Sequence, residues 1–273
     1  MPLTPLADLI GKSAPGALGA FNVIQLEHAE AIVAGAEAAG RPVVLQVSEN
    51  TARYHRGLEP ILRACLAVAE SSSAAVTVHL DHATSTALVE EAVRIGVPSV
   101  MFDASALSHD ANVAATRDVV GYCHARDVSV EAELGEVGGK DGVHAPGVRT
   151  DPQDAAAYVA ATDVDALAVA VGSSHAMLTR DAVLDDDLIA RLATTVDVPL
   201  VLHGSSGVPD DGLVSAVRHG MRKINIATQL NKRFTAAVRE ALTDDDLVDP
   251  RKYLGPGREA VAAEVERLLR LLA

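Results

Sequence analysis

VPLVLHGSSGVPDDGLVSAVRHGMRKINIA, Val198–Ala227, is the stretch from which the architecture can be read. It opens on an apolar run, Pro199–Leu202, that meets a histidine and a glycine-rich turn. A helix follows. Pro209 with Asp210 and Asp211 opens it, the acids complementing the helix dipole, and Gly220 ends it. A second β-rich run, Lys223–Ile226, comes directly after. Strand, turn, helix and strand within one short stretch make a βα unit, and a strand apolar throughout is a parallel strand buried on both faces.

The same alternation extends back to the N-terminus. Further β-rich runs lie at Ala17–Val23, Pro42–Val47, Ala75–Leu80, Pro98–Phe102, Val128–Leu134 and Ala166–Val171, which brings the total to eight. Between them are Ala-rich segments of helical period. Glu27–Ala39 places Ala29, Ile32, Val33 and Ala36 on one face and stops at Gly40; Leu88, Ala92 and Ile95 form a stripe closed by Gly96. Asp151-Pro152 is an N-cap followed by a proline that needs no donor. Eight strands alternating with helices over about 250 residues predict an α/β protein of the (β/α)₈ TIM-barrel class. A doubly wound sheet normally needs six strands, and no G-x-G-x-x-G follows the first run. No linker or repeat divides the chain, so residues 1–273 are expected to form one barrel domain. Extra helices are expected around Leu3–Lys12, Gln229–Leu242 and Pro256–Leu272.

Composition narrows the function. Of 273 residues, 49% are hydrophobic and 22% charged, enough for a large core and unlike a disordered chain. With 23 Lys+Arg against 37 Asp+Glu the net charge is −14, which argues against nucleic acid as a partner. A small anion responds to the local field of a pocket and is not excluded. No apolar run is long enough to span a bilayer, and no basic-then-apolar leader opens the chain. The two cysteines, Cys65 and Cys123, make neither a disulfide framework nor a thiolate zinc site, so a cytoplasmic enzyme is expected.

Active sites of such barrels lie at the C-terminal ends of the strands. Among ten histidines, His82, His175 and His203 follow the third, sixth and seventh runs. Three imidazoles from three strand ends suit a His₃ catalytic zinc site with one open position. His79, inside the third run, reads as a structural histidine. Asp81, Asp103, Glu131 and Glu133 share the rim, where a carboxylate can support a metal-bound imidazole or act as acid or base. Asp81 suits proton transfer, and Asp103 with Glu133 can hold a second cation. Gly204-Ser205-Ser206-Gly207 and Asn225-Ile226-Ala227-Thr228 follow the last two runs, where many barrels bind phosphate. Gly135–Thr150 is a long glycine-containing loop of the kind used as a lid.

These motifs are recognisable together. HLDHA (His79–Ala83), SVMFDAS (Ser99–Ser105), SVEAELGEVGG (Ser129–Gly139), VGSSH (Val171–His175), VPLVLHGSSGVP (Val198–Pro209), KINIATQ (Lys223–Gln229) and DPRKYLGPGREA (Asp249–Ala260) occur in order along the chain. They resemble the class II, zinc-dependent ketose-bisphosphate aldolases, in the branch holding fructose- and tagatose-bisphosphate enzymes. The resemblance implies that His82, His175 and His203 bind zinc and that Asp81 is the proton donor. It implies that Gly204–Ser206 and Asn225–Thr228 hold the dihydroxyacetone-phosphate half of a phosphosugar. Asp103 and Glu133 match carboxylates that can bind an additional zinc, and a monovalent cation is often found near the phosphate. A homodimer or homotetramer is expected.

The chain departs from the family pattern in several places. The acid of the mobile loop falls at or next to Asp141, shorter than the usual Glu. Ala176 stands where the family has glycine, and Thr179-Arg180 stands at the position of a phosphate-binding lysine, so Arg180 is the candidate cation. Ala227 matches the tagatose type, and Asn231 is uncharged where some members carry an arginine; Arg251 from a neighbouring subunit is the candidate for the far phosphate. The expected reaction is cleavage of a ketose (bis)phosphate to dihydroxyacetone phosphate and an aldehyde. A family aldolase for a non-glycolytic ketose 1-phosphate is the alternative, and a non-catalytic sugar-phosphate binder a more distant one. A Schiff-base aldolase needs a lysine at a strand's C-terminal end, and Lys223 sits at the opposite end of its run.

Overall fold

The computed structural model describes residues 3–134, 149–174, 177 and 179–273. In chain order the elements are α1 (Leu6–Ser13), β1 (Leu18–Asn22), α2 (Leu26–Ala39), β2 (Val43–Ser48), α3 (Glu49–His55), α4 (Glu59–Ser71), β3 (Val76–Ala83), α5 (Thr86–Ile95), β4 (Ser99–Phe102) and α6 (His109–His124). They continue with β5 (Ser129–Leu134), α7 (Pro152–Thr162), β6 (Ala166–Val169), α8 (Asp186–Thr195), β7 (Leu200–Leu202), α9 (Asp210–His219), β8 (Met221–Ile226), α10 (Thr228–Ala241) and α11 (Pro250–Leu271). The eight strands pair in sequence order, all parallel, and β8 closes on β1. The fold is therefore the (β/α)₈ barrel read from the sequence.

The apolar runs become strands because both faces are covered. Val43, Leu45 and Val47 of β2 and Val76, Val78 and Leu80 of β3 belong to the cluster that also holds Ile32 and Ala36 of α2 and Leu62 of α4. At the start of the strands, Leu6 and Leu9 of α1 pack on Leu18, Ala20 and Val44 and stopper that end of the barrel. The helix signals also operate as read: Asp151 accepts hydrogen bonds from Gln153 N and Asp154 N, and α2 ends at Gly40. Val261, Val265 and Leu268 bury one face of α11 in the main core.

Three boundaries differ from the reading, each for a local reason. The last helix starts at Pro250, not Pro256, because Asp249 caps it through Arg251 N; this is the same Asp-Pro signal as at Asp151, and Pro256 lies within the helix. β3 runs on to Ala83, with its pairing to β4 shifted between Leu80 and Ala83. β8 starts at Met221, which makes Lys223 a mid-strand residue and not the first one.

Candidate active site

At the C-terminal mouth of the barrel is a cavity of about 180 Å³ lined by residues of β1, β2, β3, β7 and β8 and the turns that follow them. Asp81 and His82 both line it, although successive strand residues normally face opposite ways. The register shift in β3 and the left-handed conformation of His82 (φ 50°) reverse that alternation and turn both side chains to the mouth.

Two of the three expected metal histidines lie together here. His203 Nδ1 is 2.9 Å from His82 Nε2. The opposite nitrogen of each ring is held by a carboxylate: His82 Nδ1 lies 3.0 Å from Asp103 Oδ2, and His203 Nε2 lies 2.9 Å from Glu131 Oε1. Imidazoles held from behind in this way present their remaining nitrogens to a common point. Glu133 joins them, so that one ligand atom from each of His82, Glu133 and His203 falls within 4.8 Å of the others. Two imidazoles and a carboxylate form a donor set suited to zinc. Asp103 is outside this group; its Oδ1 accepts from Ser105 Oγ at 2.6 Å while its Oδ2 faces His82. His175, Ala176 and Asp141, with the proposed lid, lie outside the described residues.

Asp81 is 2% exposed. Its Oδ2 accepts from Asn22 Nδ2 at 2.8 Å, and Asn22 Oδ1 accepts in turn from Gln46 Nε2 at 2.7 Å. Its Oδ1 has no hydrogen-bond partner among the described residues. Burial raises the Asp81 carboxyl, but His82, His203, Lys223 and the Asn22 hydrogen bond together outweigh burial and hold it below the usual carboxylate value. Asn22, Gln46, Ser48 and Asn50 line the cavity and were missed in the sequence. Apart from their places at or just beyond strand ends, nothing marks amides and hydroxyls as functional.

The phosphate-type turn is also present. Gly204, Ser205, Ser206, Asn225, Ala227 and Thr228 line the cavity. Ile226 is buried in the main core and backs this turn without lining the cavity. Ser206 Oγ accepts from Ala227 N and Gln229 N, both at 3.3 Å, so the turn after β7 sits on the first amides of α10. Gly204 adopts a left-handed conformation, and a Cβ there would stand 2.6 Å from the Ser174 carbonyl group.

The two arginines assigned to phosphate are elsewhere. Arg180 donates to Val208 O at 2.7 Å and pairs with Asp210 at 2.7 Å, behind the turn. Asp210 also pairs with Arg267 of α11, so this acid is an ion-pair junction as well as a helix-dipole partner. Arg251 pairs with Asp249 on the exposed start of α11 and does not line the cavity. His79 is buried with its Nδ1 2.8 Å from Ser99 Oγ, as a structural histidine should be.

Lys223 departs from the expectation that set it aside by position. It is fully buried, and its Nζ bonds Glu131 Oε2 at 2.7 Å and Asn225 Oδ1 at 2.9 Å. An ammonium paired in this way is no Schiff-base nucleophile, so the exclusion stands on its pairing. No helix among the described residues is long and apolar enough to cross a membrane.

The family model for class II fructose-bisphosphate aldolase matches residues 11–273. A fructose-bisphosphate aldolase of Geobacillus stearothermophilus is 40% identical over 272 residues, covering 97% of this chain and 95% of that protein. One of Staphylococcus aureus strain Mu50 is 38% identical over 273 residues, covering 97% and 96%. Among solved structures, the YdjI aldolase from Escherichia coli K12 superposes with a TM-score of 0.86 at 30% identity, covering 98% of this chain and 94% of that one. A structure described as a putative fructose-1,6-biphosphate aldolase from Coccidioides immitis gives 0.87 at 27% identity, covering 98% and 95%.

Proposed function

The chain belongs to the class II fructose-bisphosphate aldolase family, and we propose that the cavity at its barrel mouth is where a ketose bisphosphate of the fructose 1,6-bisphosphate type is cleaved to dihydroxyacetone phosphate and an aldehyde. The protein is an aldolase, a carbon–carbon lyase of carbohydrate metabolism. The observation that carries the site assignment is the junction of the His82, Glu133 and His203 group with the unpartnered Asp81 oxygen in one cavity.

The class II family is zinc-dependent, and the donors present fit that ion. His82 and His203 would hold it with Glu133 close by, and His175 is proposed as a further ligand. When bound, zinc supplies a Lewis acid that stabilises negative charge on the ketose oxygens. Asp81 is aimed for the proton transfer. Asn22 and Gln46 tether Oδ2, so Oδ1 takes the proton of the C4 hydroxyl as the C3–C4 bond breaks and that carbon becomes the aldehyde carbonyl. The bonding pair stays with the dihydroxyacetone-phosphate half, and in condensation the same proton returns. Asp141 is proposed as the acid that protonates C3 before release.

Gly204–Ser206 and Asn225–Thr228 receive the phosphate of that half, where the start of α10 directs backbone amides at the turn. Arg180 supports the site from behind by fixing Val208 and Asp210. A homodimer or homotetramer belongs to the proposal, with Arg251 serving a neighbouring subunit's far phosphate. So do a second divalent ion at Asp103 and Glu133 and a monovalent cation near the phosphate.

One experiment tests the reaction and its substrate. Release of dihydroxyacetone phosphate is followed from fructose 1,6-bisphosphate, tagatose 1,6-bisphosphate and a set of ketose 1-phosphates, before and after chelation. Cleavage of the fructose compound that is lost on chelation and restored by zinc supports the proposal. Preferred cleavage of tagatose bisphosphate or a 1-phosphate moves the substrate, and activity that survives complete metal removal overturns the site.

A further inference from the structure

Beneath the metal group, five side chains from five strands meet inside the barrel. Lys223 of β8, Glu131 of β5 and His203 of β7 form a continuous chain. Asn225 of β8 is bonded to Lys223, and Nε2 of His79 of β3 lies 3.9 Å from Glu131 Oε2. Lys223, Glu131, His203 and His79 are each 0% exposed, and Asn225 is 8% exposed at the cavity wall. β5 neighbours neither β7 nor β8, so these contacts cross the lumen.

Stability alone does not account for this pair. Two charges removed from water cost several kcal/mol each, and an apolar pair of similar volume commonly does as well or better. The arrangement around Glu131 is directional. One carboxylate oxygen faces His203 Nε2 and the other receives the lysine, so the carboxylate has no freedom to rotate. A carboxylate at Nε2 requires the proton on that nitrogen, which leaves Nδ1 as the lone-pair donor toward His82 and Glu133. The same ammonium takes Asn225 Oδ1, so the amide must present its Nδ2 hydrogens away from Lys223, on the side of the cavity it lines.

We infer that Lys223 is a positioning residue for the metal centre: through Glu131 it fixes which nitrogen of His203 meets the metal, and through Asn225 it orients a wall of the substrate pocket. The inference rests on the metal site described under Proposed function. Lys223 touches neither substrate nor metal in this role.

Three variants test it: Lys223→Met, Glu131→Gln and the two combined, each compared with His203→Ala. Zinc affinity is read by competition with a chromophoric chelator, and folding of the metal-free proteins by circular dichroism and thermal unfolding. Lys223→Met is expected to weaken zinc binding on the order of 10–100-fold, the scale for losing support behind a metal-bound histidine. It should also lose metal-free stability, because Glu131 is left buried and unpaired. The double variant removes both charges and should recover that stability, yet its zinc affinity should remain at least about 10-fold below wild type, since an untethered amide neither fixes the ring nor adds charge behind it. If Lys223→Met alone does not fold, the double variant carries the test. Wild-type zinc affinity in the double variant, with His203→Ala still deficient, overturns the inference and leaves the metal site standing. A wild-type protein that binds no zinc overturns both.

Discussion

Asn22 on β1 donates to Asp81 Oδ2 on β3 across 2.8 Å, past the strand that separates them. Gln46 on that middle strand holds the other end of the Asn22 amide. The carboxylate is therefore fixed by two amides and meets substrate with a single chosen oxygen. Asp81→Asn is expected to keep zinc and to lose turnover by about 10²–10⁴-fold, the usual worth of a placed acid–base group. Asn22→Ala leaves the carboxylate in place but untethered, and a fall in kcat on the order of 10²-fold is expected, with zinc content unchanged. Steady-state kinetics beside metal analysis decide both; full turnover in Asp81→Asn removes it from the proton-transfer role.

The metal group makes a separate prediction. His203→Ala removes a ligand that Glu131 orients, and zinc should be lost on purification. A chelated wild-type protein should unfold at lower temperature than the zinc-loaded one, because a ligand that binds only the folded state stabilises it by mass action. Equal melting temperatures with and without metal would count against the site.

Gly204 permits the turn after β7. Its φ of 66° and the 2.6 Å approach of a Cβ to Ser174 both oppose any side chain. Gly204→Ala should cost roughly 1–3 kcal/mol in chemical unfolding and raise KM for the phosphosugar as the turn shifts. Unchanged stability and KM would show that the turn adapts.

His28 gives a pH signature of stability that lies outside the active site. It is 3% exposed, stacks on Phe234 with ring centroids 5.0 Å apart, and neither ring nitrogen has a hydrogen-bond partner. Burial pushes its pKa down from 6.5 to about 4. Between those values the unfolded chain binds the proton and the folded one does not, so this contribution is complete above pH 6.5 and is lost as pH falls toward 4. Between pH 7 and pH 5 the loss from this group is about 2 kcal/mol. His28→Phe should flatten the stability profile over that range by a comparable amount, measured by urea unfolding at the two pH values. Parallel profiles would mean that His28 takes its proton in the folded state.

Much of this was legible in residue order. Eight apolar runs separated by capped helices identify a parallel barrel because burial on both faces leaves that imprint on each strand. His82 and His203 were readable as ligands because barrel chemistry gathers at strand ends, and the glycine-rich turn at 204–207 because phosphate sites follow the last two strands. The partners that make these groups work were not readable. Periodicity tells which face of a strand a residue occupies, but not which residue of a distant strand lies opposite it. Only closure of the barrel brings Asn22 to Asp81, Glu131 to His203 and Lys223 to both Glu131 and Asn225. The shifted register at Asp81–His82 is likewise a product of the closed sheet, since simple alternation would send one of the two away from the mouth. The sequence by itself determined the barrel and the rim; closure of the sheet decided the hydrogen-bond geometry, because those bonds cross a lumen that exists only once all eight strands have met.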